Sequence, residues 1–392
     1  MDTSSYTYKA LQKKYVNFIT PALEVTIGNT TYSSKEIPIL NLEVELTADG
    51  SAGGCTFTVD SQYKAEASRW KNDFDKSVKI GAKLAVRGGY VKMEEIFYGY
   101  IDDYSFAYSG EEGPNIEITG IDGLGYLMSM REPLYAGQQK AKNIVEDILS
   151  KSVAAGYAKK AKVGMLSGFE TPIIKEQIDD WSFLNLMAGR YGATLFVVDG
   201  ELIFDDVVSD TKPLLKLAVG AGLRSFTKRV SLAHQVGKVE IWGRDVNQKP
   251  IKGVADAVTV GGAEGKSAAQ LVSGLKSAVL REYSEYVRTQ KECELMAQNR
   301  LNGIAMGLVS GEGTCIGIPE IIPGRYIEID GLDDSTNGSY FISRVKHRFD
   351  SAGYSTTFEV KGAKTKLVLQ NSWIRFPVRW GWACAAAWTA AG

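Results

Sequence analysis

Ile116-Glu-Ile-Thr-Gly120 and Phe358-Glu-Val-Lys-Gly362 share one pattern: apolar, Glu, apolar, polar, Gly. Each closes a stretch that opens near a glycine, Gly99-Tyr-Ile in the first case and Gly338-Ser-Tyr-Phe-Ile in the second. Apolar residues at every second position mark strands with one face in a core. Two such hairpins far apart point to an internal duplication, although so short a match is within the reach of chance. The alternation extends outward from both. Leu23-Glu-Val-Thr-Ile27, Leu40-Asn-Leu-Glu-Val-Glu-Leu46, Cys55-Thr-Phe-Thr-Val59, Val78 to Val86 and Ile96 to Ile101 surround the first. Leu223 to Trp242, Tyr326-Ile-Glu-Ile329, Tyr340 to Val345 and Tyr354 to Val360 surround the second. Six or so short strands over about 100 residues read as a small barrel or sandwich. Ser61 to Trp70 is the one helical candidate inside the first.

Between these β portions the period changes. Ile144, Val145, Ile148 and Leu149 form one face of a helix over Ala141 to Ala155. A second helix is predicted from Trp181 to Arg190, capped by Asp179 or Asp180, with Phe183, Leu184, Met187 and Ala188 buried and Gly192 as its left-handed exit. Thr194 to Phe204 follows, with Asp199-Gly200 between two apolar runs, which predicts a tight hairpin. Beyond a Gly/Ala-rich stretch from Gly253 to Gly265, helical pattern returns from Ala268 to Leu308. Thr289 and Glu292 form a capping box there.

Composition narrows the function classes. Lys and Arg number 45 against 46 Asp and Glu, a net charge of −1. That balance argues against nucleic acid or an anionic membrane surface as main partner, since both demand an excess of cations. With 44% hydrophobic and 23% charged residues the chain is globular, not disordered. Cys55, Cys293, Cys315 and Cys384 include no CxxC pair, so buried free thiols are expected rather than zinc or a disulfide framework. No apolar run approaches the ~20 residues of a membrane span. The N-terminal Met1 to Tyr15 lacks the order of a signal peptide, so synthesis in the cytoplasm is expected.

Candidate chemistry does not assemble. Gly261 to Ser267 invites a P-loop reading, but Val260 stands where the first glycine belongs. A flexible loop entering a helix is the reading kept. The acidic pairs Glu94-Glu95, Asp102-Asp103, Asp179-Asp180, Asp205-Asp206 and Asp333-Asp334 are sequence neighbours, which point apart on a strand. They read as turns and caps, not a glycosidase dyad. Asp330 to Gly338 resembles a calcium loop without its ligand spacing, and is predicted to be a hairpin turn. His347 lies on an alternating strand with no G-x-S-x-G nucleophile elsewhere, so a structural hydrogen bond is expected; His234 has less context still.

Several segments together resemble one family. Trp181-Ser-Phe-Leu-Asn-Leu-Met-Ala-Gly-Arg-Tyr-Gly192, with the hairpin to Phe204, resembles the helix and hairpin of phage late control gene D proteins. Ser310 to Ile329, with its Gly-Ile-Pro and Pro323-Gly324, and Tyr340 to Val360, with His347 and Gly353-Tyr-Ser-Thr, resemble later motifs of that family. Phe97-Tyr-Gly-Tyr-Ile101 and Ile118-Thr-Gly-Ile-Asp122 match its first-barrel markers. The motifs run in family order from Phe18 to Gly362.

The resemblance implies an α+β, mainly β fold: two related small β-barrels with two inserted helical or α+β domains, assembling as a trimeric pseudo-hexameric ring. It implies the structural central hub of a contractile tail, tailocin or injection-system baseplate, similar to the N-terminal part of type VI spike proteins. Such a hub adapts the six-fold tail tube to a three-fold spike. The implied partners are two further copies, a spike protein on one side, a tail-tube initiator or tube protein on the other, baseplate wedge components, and tape measure or cargo in the channel. The chain would join a phage tail or phage-tail-like particle. No catalytic, metal or cofactor-binding residue is implied, and no enzyme activity. If the hub imitates a tube, its channel wall should be polar or weakly charged, with Glu43, Glu45 and Glu328 the candidates for exposure.

The expected division is an N-terminal arm (1–17), the first barrel (18–136), an α+β insert (137–206), a second barrel in two parts (207–264 and 311–362) around a helical insert (265–310), and a tail (363–392). Leu367 to Gly392 holds four of the seven tryptophans and none of the family motifs. It reads as a frameshifted or cloning-derived tail, the other reading being a plug against the spike. The alternative function is a spike-toxin or cell-wall-hydrolase precursor, as some relatives carry a fused lysozyme-like or effector module. About 30 residues after Gly362 are too few for such a domain, so the module would be missing or encoded separately.

Overall fold

The computed structural model describes residues 4–60, 63–64, 69–71, 74–109, 113–135, 140–166, 168–169, 173–261 and 265–366. The first β portion comprises β1 (Ala22–Ile27), β2 (Thr30–Ser33), β3 (Ile39–Thr47), β4 (Gly54–Asp60), β5 (Lys83–Gly89), β6 (Met93–Ser109) and β7 (Gly113–Asp122). An inserted unit follows, with α1 (Ala141–Ala155), β8 (Lys160–Val163), α2 (Asp180–Tyr191), β9 (Thr194–Val198) and β10 (Glu201–Asp205). The second β portion opens with β11 (Pro213–Val219) and β12 (Gly222–Val230). It is interrupted by β13 (Lys238–Arg244), β14 (Pro250–Ala255), β15 (Val279–Tyr283) and α3 (Gln290–Ala305). It then closes with β16 (Val309–Ile316), β17 (Tyr326–Asp330), β18 (Gly338–Asp350) and β19 (Gly353–Gly362).

The second portion is a closed six-stranded barrel in the order β11-β12-β16-β19-β18-β17, with β17 returning to β11. The first portion runs β3-β4-β7-β6-β5-β1-β2. The run β3-β4-β7-β6-β5 repeats as β12-β16-β19-β18-β17, and every neighbouring pair is antiparallel in both. The two pentapeptides of matching pattern lie on β7 and β19, the same place in each sheet. Their apolar residues Ile116, Ile118, Phe358 and Val360 are all buried. The duplication is therefore structural. It is not complete: β11 pairs parallel with both its neighbours, whereas β1 runs antiparallel to β5 and makes no ladder with β3. The first sheet stays open at that point.

Among the described residues the two sheets are joined by one ladder, β3 against β18, from Arg344 opposite Thr47 to Phe349 opposite Leu42. One apolar core runs through both, including Val44, Phe57, Phe97, Val345 and Phe358. The inserted unit packs its own core from Ile144, Leu149, Phe183, Leu184, Leu202 and Phe204. Asp179 caps α2 by accepting from Ser182 N at 2.7 Å, and Gly192 ends it in the left-handed region. The β9–β10 hairpin turns at Asp199 and Gly200, both at positive φ, as expected. The capping box of Thr289 and Glu292 is formed at α3.

Two expectations are corrected. At its described positions the Ser61 to Trp70 segment is not helical: Tyr63–Lys64 pairs antiparallel with Arg69–Trp70. Tyr63 and Trp70 pack edge-on at 5.6 Å and contact Tyr108 and Phe106 of β6, so aromatic burial decides the conformation. The helical pattern from Ala268 to Leu308 is also broken. Ala268–Leu271 is a single turn, Val279–Tyr283 is the strand β15 pairing parallel with β13, and only α3 is long. Val239 and Ile241 of this small sheet pack with Ala297 and Leu301 of α3. Gly262 to Glu264 and the Trp-rich tail from Leu367 lie outside the described residues.

Candidate functional site

Alternation on the strands has a consequence beyond the core. The side chains that do not enter it form one continuous polar face over eight neighbouring strands, β6-β7-β4-β3-β18-β19-β16-β12. The register fixes its rows. Asp103, Thr119, Thr56, Glu43, Arg348 and Ser355 are successive cross-strand neighbours. Glu45, Lys346, Thr357, Thr314 and Ser225 make a second row. Arg344, Glu359, Glu312 and Thr227 make a third, and Lys361, Ser310 and Arg229 a fourth. None of these side chains is buried.

The charges on this face nearly balance. Asp103, Glu117, Glu43, Glu45, Glu312 and Glu359 stand against Arg344, Lys346, Arg348, Lys361 and Arg229. At the seam they interlock: Lys346 Nζ lies 3.1 Å from Glu43 and 3.0 Å from Glu45, and Arg344 lies 3.0 Å from Glu45 and 3.4 Å from Asp49. Hydrogen bonds to Glu45 and Glu43 raise the pKa of Lys346. Glu43 and Glu45 are thus partly exposed, as expected, but each is paired. Glu328 is apart from them on β17, bonded at 2.9 Å to Lys216 of β11.

Beneath the seam His347 is fully buried opposite Val44, with Nδ1 between the hydroxyls of Tyr354 and Thr356. Burial pushes its pKa down to about 4. This is the structural hydrogen bonding expected of it. His234 is an exposed turn residue at positive φ. Asp333 accepts from Ser335 N and Thr336 N in the β17–β18 turn, as a hairpin turn requires. Hydrogen bonds from the side chains of Ser335 and Thr336 foremost, with these backbone bonds behind them, hold its pKa down to about 2.

The acidic pairs scatter. Asp180 is buried against Lys175 at 2.7 Å and Lys151 at 2.8 Å, tying α2 to α1 and to the short strand Ile174–Lys175. Asp206 bonds Ser209, and Asp102 falls at the bulge of β6, which leaves both it and Asp103 exposed. Lys266 exchanges backbone bonds with Thr365, and Ser267 caps a single helical turn. Cys55, Cys293 and Cys315 are buried free thiols, and Cys384 lies outside the described residues. Among the described residues no helix is long and apolar enough to cross a membrane, and no group of three or more His, Cys, Asp and Glu could hold a metal ion.

Sequence reasoning missed the seam. Its signal was present, since Arg344-Val-Lys-His-Arg348 offers cations at every second position and Leu42-Glu-Val-Glu-Leu46 offers anions in the same rhythm. Nothing in one strand states that the other is its neighbour.

Comparisons place this architecture among known folds. The family model described as the Alg8 N-terminal domain matches residues 24–351. No curated protein matches the chain in sequence. The 43 kDa tail protein of prophage MuSo2 from Shewanella oneidensis is similar over 86% of this chain and 97% of its own, with 17% identity and a TM-score of 0.61. A tail protein from Neisseria meningitidis MC58 is similar over 88% of this chain and 97% of its own, with 12% identity and a TM-score of 0.64. A chain of the Francisella PdpA-VgrG complex is similar over 92% of this chain and 61% of its own, with 12% identity and a TM-score of 0.50. The fold, mainly β with a six-stranded closed barrel, is that of these tail proteins, as the sequence motifs implied.

Proposed function

This chain belongs to the Alg8 N-terminal domain family, and we propose that it is the central hub of a contractile-tail or injection-system baseplate, adapting a six-fold tube to a three-fold spike. The observation that carries the reading is the repeated sheet. Two units of shared strand order lie edge to edge in one chain. Three copies would present six such units around an axis, through contacts that close on themselves. The polar, nearly neutral face spanning both units has the character a channel wall needs, because apolar walls would hold passing cargo.

On this proposal the partners are two further copies, a spike on one side and a tube or tube-initiator protein on the other, with wedge components around and tape measure or cargo within. The division into an arm, two barrels, two inserts and a tail at the boundaries above is part of it. The role is structural rather than catalytic, supported by solved relatives named as tail proteins. Native mass spectrometry of the chain co-expressed with its spike tests the reading. Trimers carrying one spike trimer are expected; monomers alone would overturn it. Zymography adds a second check, with clearing expected from the whole particle and none from the isolated chain.

A further inference from the structure

The internal repeat bears on contacts between copies as well as within one. Inside the chain, β3 of the first unit pairs with β18 of the second. In the shared strand order β3 corresponds to β12, and β18 to β6. Among the described residues, both of those counterparts keep a free edge. β6 pairs with β5 only from Met93 to Tyr100, so its edge from Asp102 to Ser109 carries no ladder. β12 meets β11 only at Gly222 and Leu223, which leaves its edge from Ser225 to Val230 bare. β18 shows the same division with both halves filled: Gly338 to Phe341 pairs with β17, and Arg344 to Phe349 with β3. The two bare edges are also the two ends of the eight-strand polar face.

A bare strand edge is a template for another strand. Here each also carries apolar side chains in the open. Phe106 and Tyr108 of β6 are 37% and 64% exposed, while Val230 of β12 and Leu232 just beyond it are 47% and 44% exposed. At the internal ladder the residues on the core side, Val44, Val345 and His347, are fully buried. The matched pentapeptides carry the register from one place to the other. Val44 stands opposite Cys55, which stands opposite Gly120; Val230 stands opposite Val309, which stands opposite Gly362. His347 stands opposite Thr356, two residues before Phe358, and Tyr108 opposite Pro114, two residues before Ile116. The internal pair of His347 and Val44 therefore maps onto Tyr108 and Val230. The pair of Val345 and Leu46 maps onto Phe106 and Leu232. The exposed apolar residues are the ones that the repeat makes partners.

We propose that the edge of β6 from Asp102 to Ser109 pairs antiparallel with the edge of β12 in a second copy of this chain, with Tyr108 opposite Val230. The contact is heterologous: it joins two different edges, so a joined pair still offers one edge of each kind to the next copy. It covers Phe106 and Tyr108 with the neighbour's Val230 and Leu232, and it continues the polar face from copy to copy. It rests on the hub reading, from which it takes closure at three copies.

The test places Tyr108→Cys and Val230→Cys together in a Cys384→Ser background; Cys55, Cys293 and Cys315 are buried. Residues opposed on paired antiparallel strands lie about 4.5–5.5 Å apart between Cα atoms, within disulfide reach. The full chain, co-expressed with its spike and oxidised, is read by non-reducing gel and native mass spectrometry. The double variant should give covalently linked copies up to a trimer. Each single variant should stay unlinked, because a heterologous contact never brings Tyr108 to Tyr108. The two single variants expressed together should give dimers and nothing larger. With no cysteine introduced, Val230→Lys should weaken assembly about tenfold. Trimers by mass without linkage in the double variant, or assembly unchanged by Val230→Lys, would overturn this ladder and leave the hub reading standing. Linked copies that carry no spike would uphold the ladder and overturn the hub reading. Monomers throughout would overturn both.

Discussion

His347 Nδ1 lies 2.9 Å from the hydroxyl of Tyr354, both buried beneath the ladder that joins the two sheets. Thr356 adds a second hydroxyl at 3.2 Å and itself accepts from Ile318 N. A neutral imidazole can accept the tyrosine proton, and burial keeps it neutral by holding its pKa down to about 4 from 6.5. Between those values the unfolded chain binds the extra proton, so this group's contribution to stability is present above the upper value and is lost as pH falls towards the lower.

Asp122 works the other way. It is buried, accepts from Gly53 N at 2.6 Å and Leu124 N at 2.8 Å, and caps the helical turn after β7. Burial outweighs those bonds and pushes its carboxyl up to about 7 from 3.8. The folded state therefore holds the extra proton, and this contribution declines as pH rises through the same window. Each full proton is worth about 1.4 kcal/mol per pH unit, so the two slopes should largely cancel. The expected outcome is read from urea midpoints between about pH 4.5 and about pH 6.5. The stability gap between parent and His347→Gln should widen with pH, and the gap to Asp122→Asn should narrow. Parallel profiles would refute the assignment.

Gly200 sits at φ 71° after Asp199 at φ 53°, the primed turn that matches strand twist. A Cβ there would also stand 3.1 Å from Lys159 Cδ and Tyr98 Cδ1. Gly200→Val should cost about 1–2 kcal/mol, from the left-handed backbone and that crowding. Equal denaturation midpoints for variant and parent would count against the turn.

This hairpin was fully legible in the sequence, as were the caps of α2 and α3, because each depends on residues a few positions apart. The core faces of β7 and β19 were legible for the same reason: Ile116, Ile118, Phe358 and Val360 obey a local period. What escaped were pairings between distant segments. The closure of the second barrel through β11 and β17, Glu320 beneath Lys14, and Glu45 between Arg344 and Lys346 are set by tertiary register. The two misread helices fail similarly, since Trp70 is held by Phe106 and β15 by β13.

Gly253 shows how close such tertiary packing is. A Cβ at this position of β14 would fall 2.1 Å from the carbonyl carbon of Cys293 and 2.2 Å from Glu294 N, both backbone atoms of α3. The helix must retreat to admit even a methyl group, so Gly253→Ala should cost about 2 kcal/mol or more. Gly303, within the same helix, meets nothing within 4 Å. There Gly→Ala should stabilise by about 0.5–1 kcal/mol, because alanine loses less backbone entropy. Thermal midpoints should move in opposite directions, and movement in the same direction would refute the packing account.

Lys346 offers the test of the seam itself. Its ammonium bridges Glu43 and Glu45 across the only ladder between the two sheets among the described residues. The side chains are partly exposed, about two-fifths for Lys346 at 39%, so each pair alone should contribute no more than about 1 kcal/mol. Lys346→Glu replaces two attractions with two repulsions and places three carboxylates side by side, with Arg344 the nearest remaining cation. The loss should reach about 2 kcal/mol at low salt and shrink towards physiological ionic strength as screening shortens the reach of the charges. Adding Glu45→Lys should restore part of it by re-forming one pair in the opposite sense, a coupling that a double-mutant cycle measures directly. A cycle with no coupling, or a loss insensitive to salt, would mean that the ladder is held by its backbone bonds and by the apolar residues beneath it, Val44, Val345 and Phe349, without help from its charges.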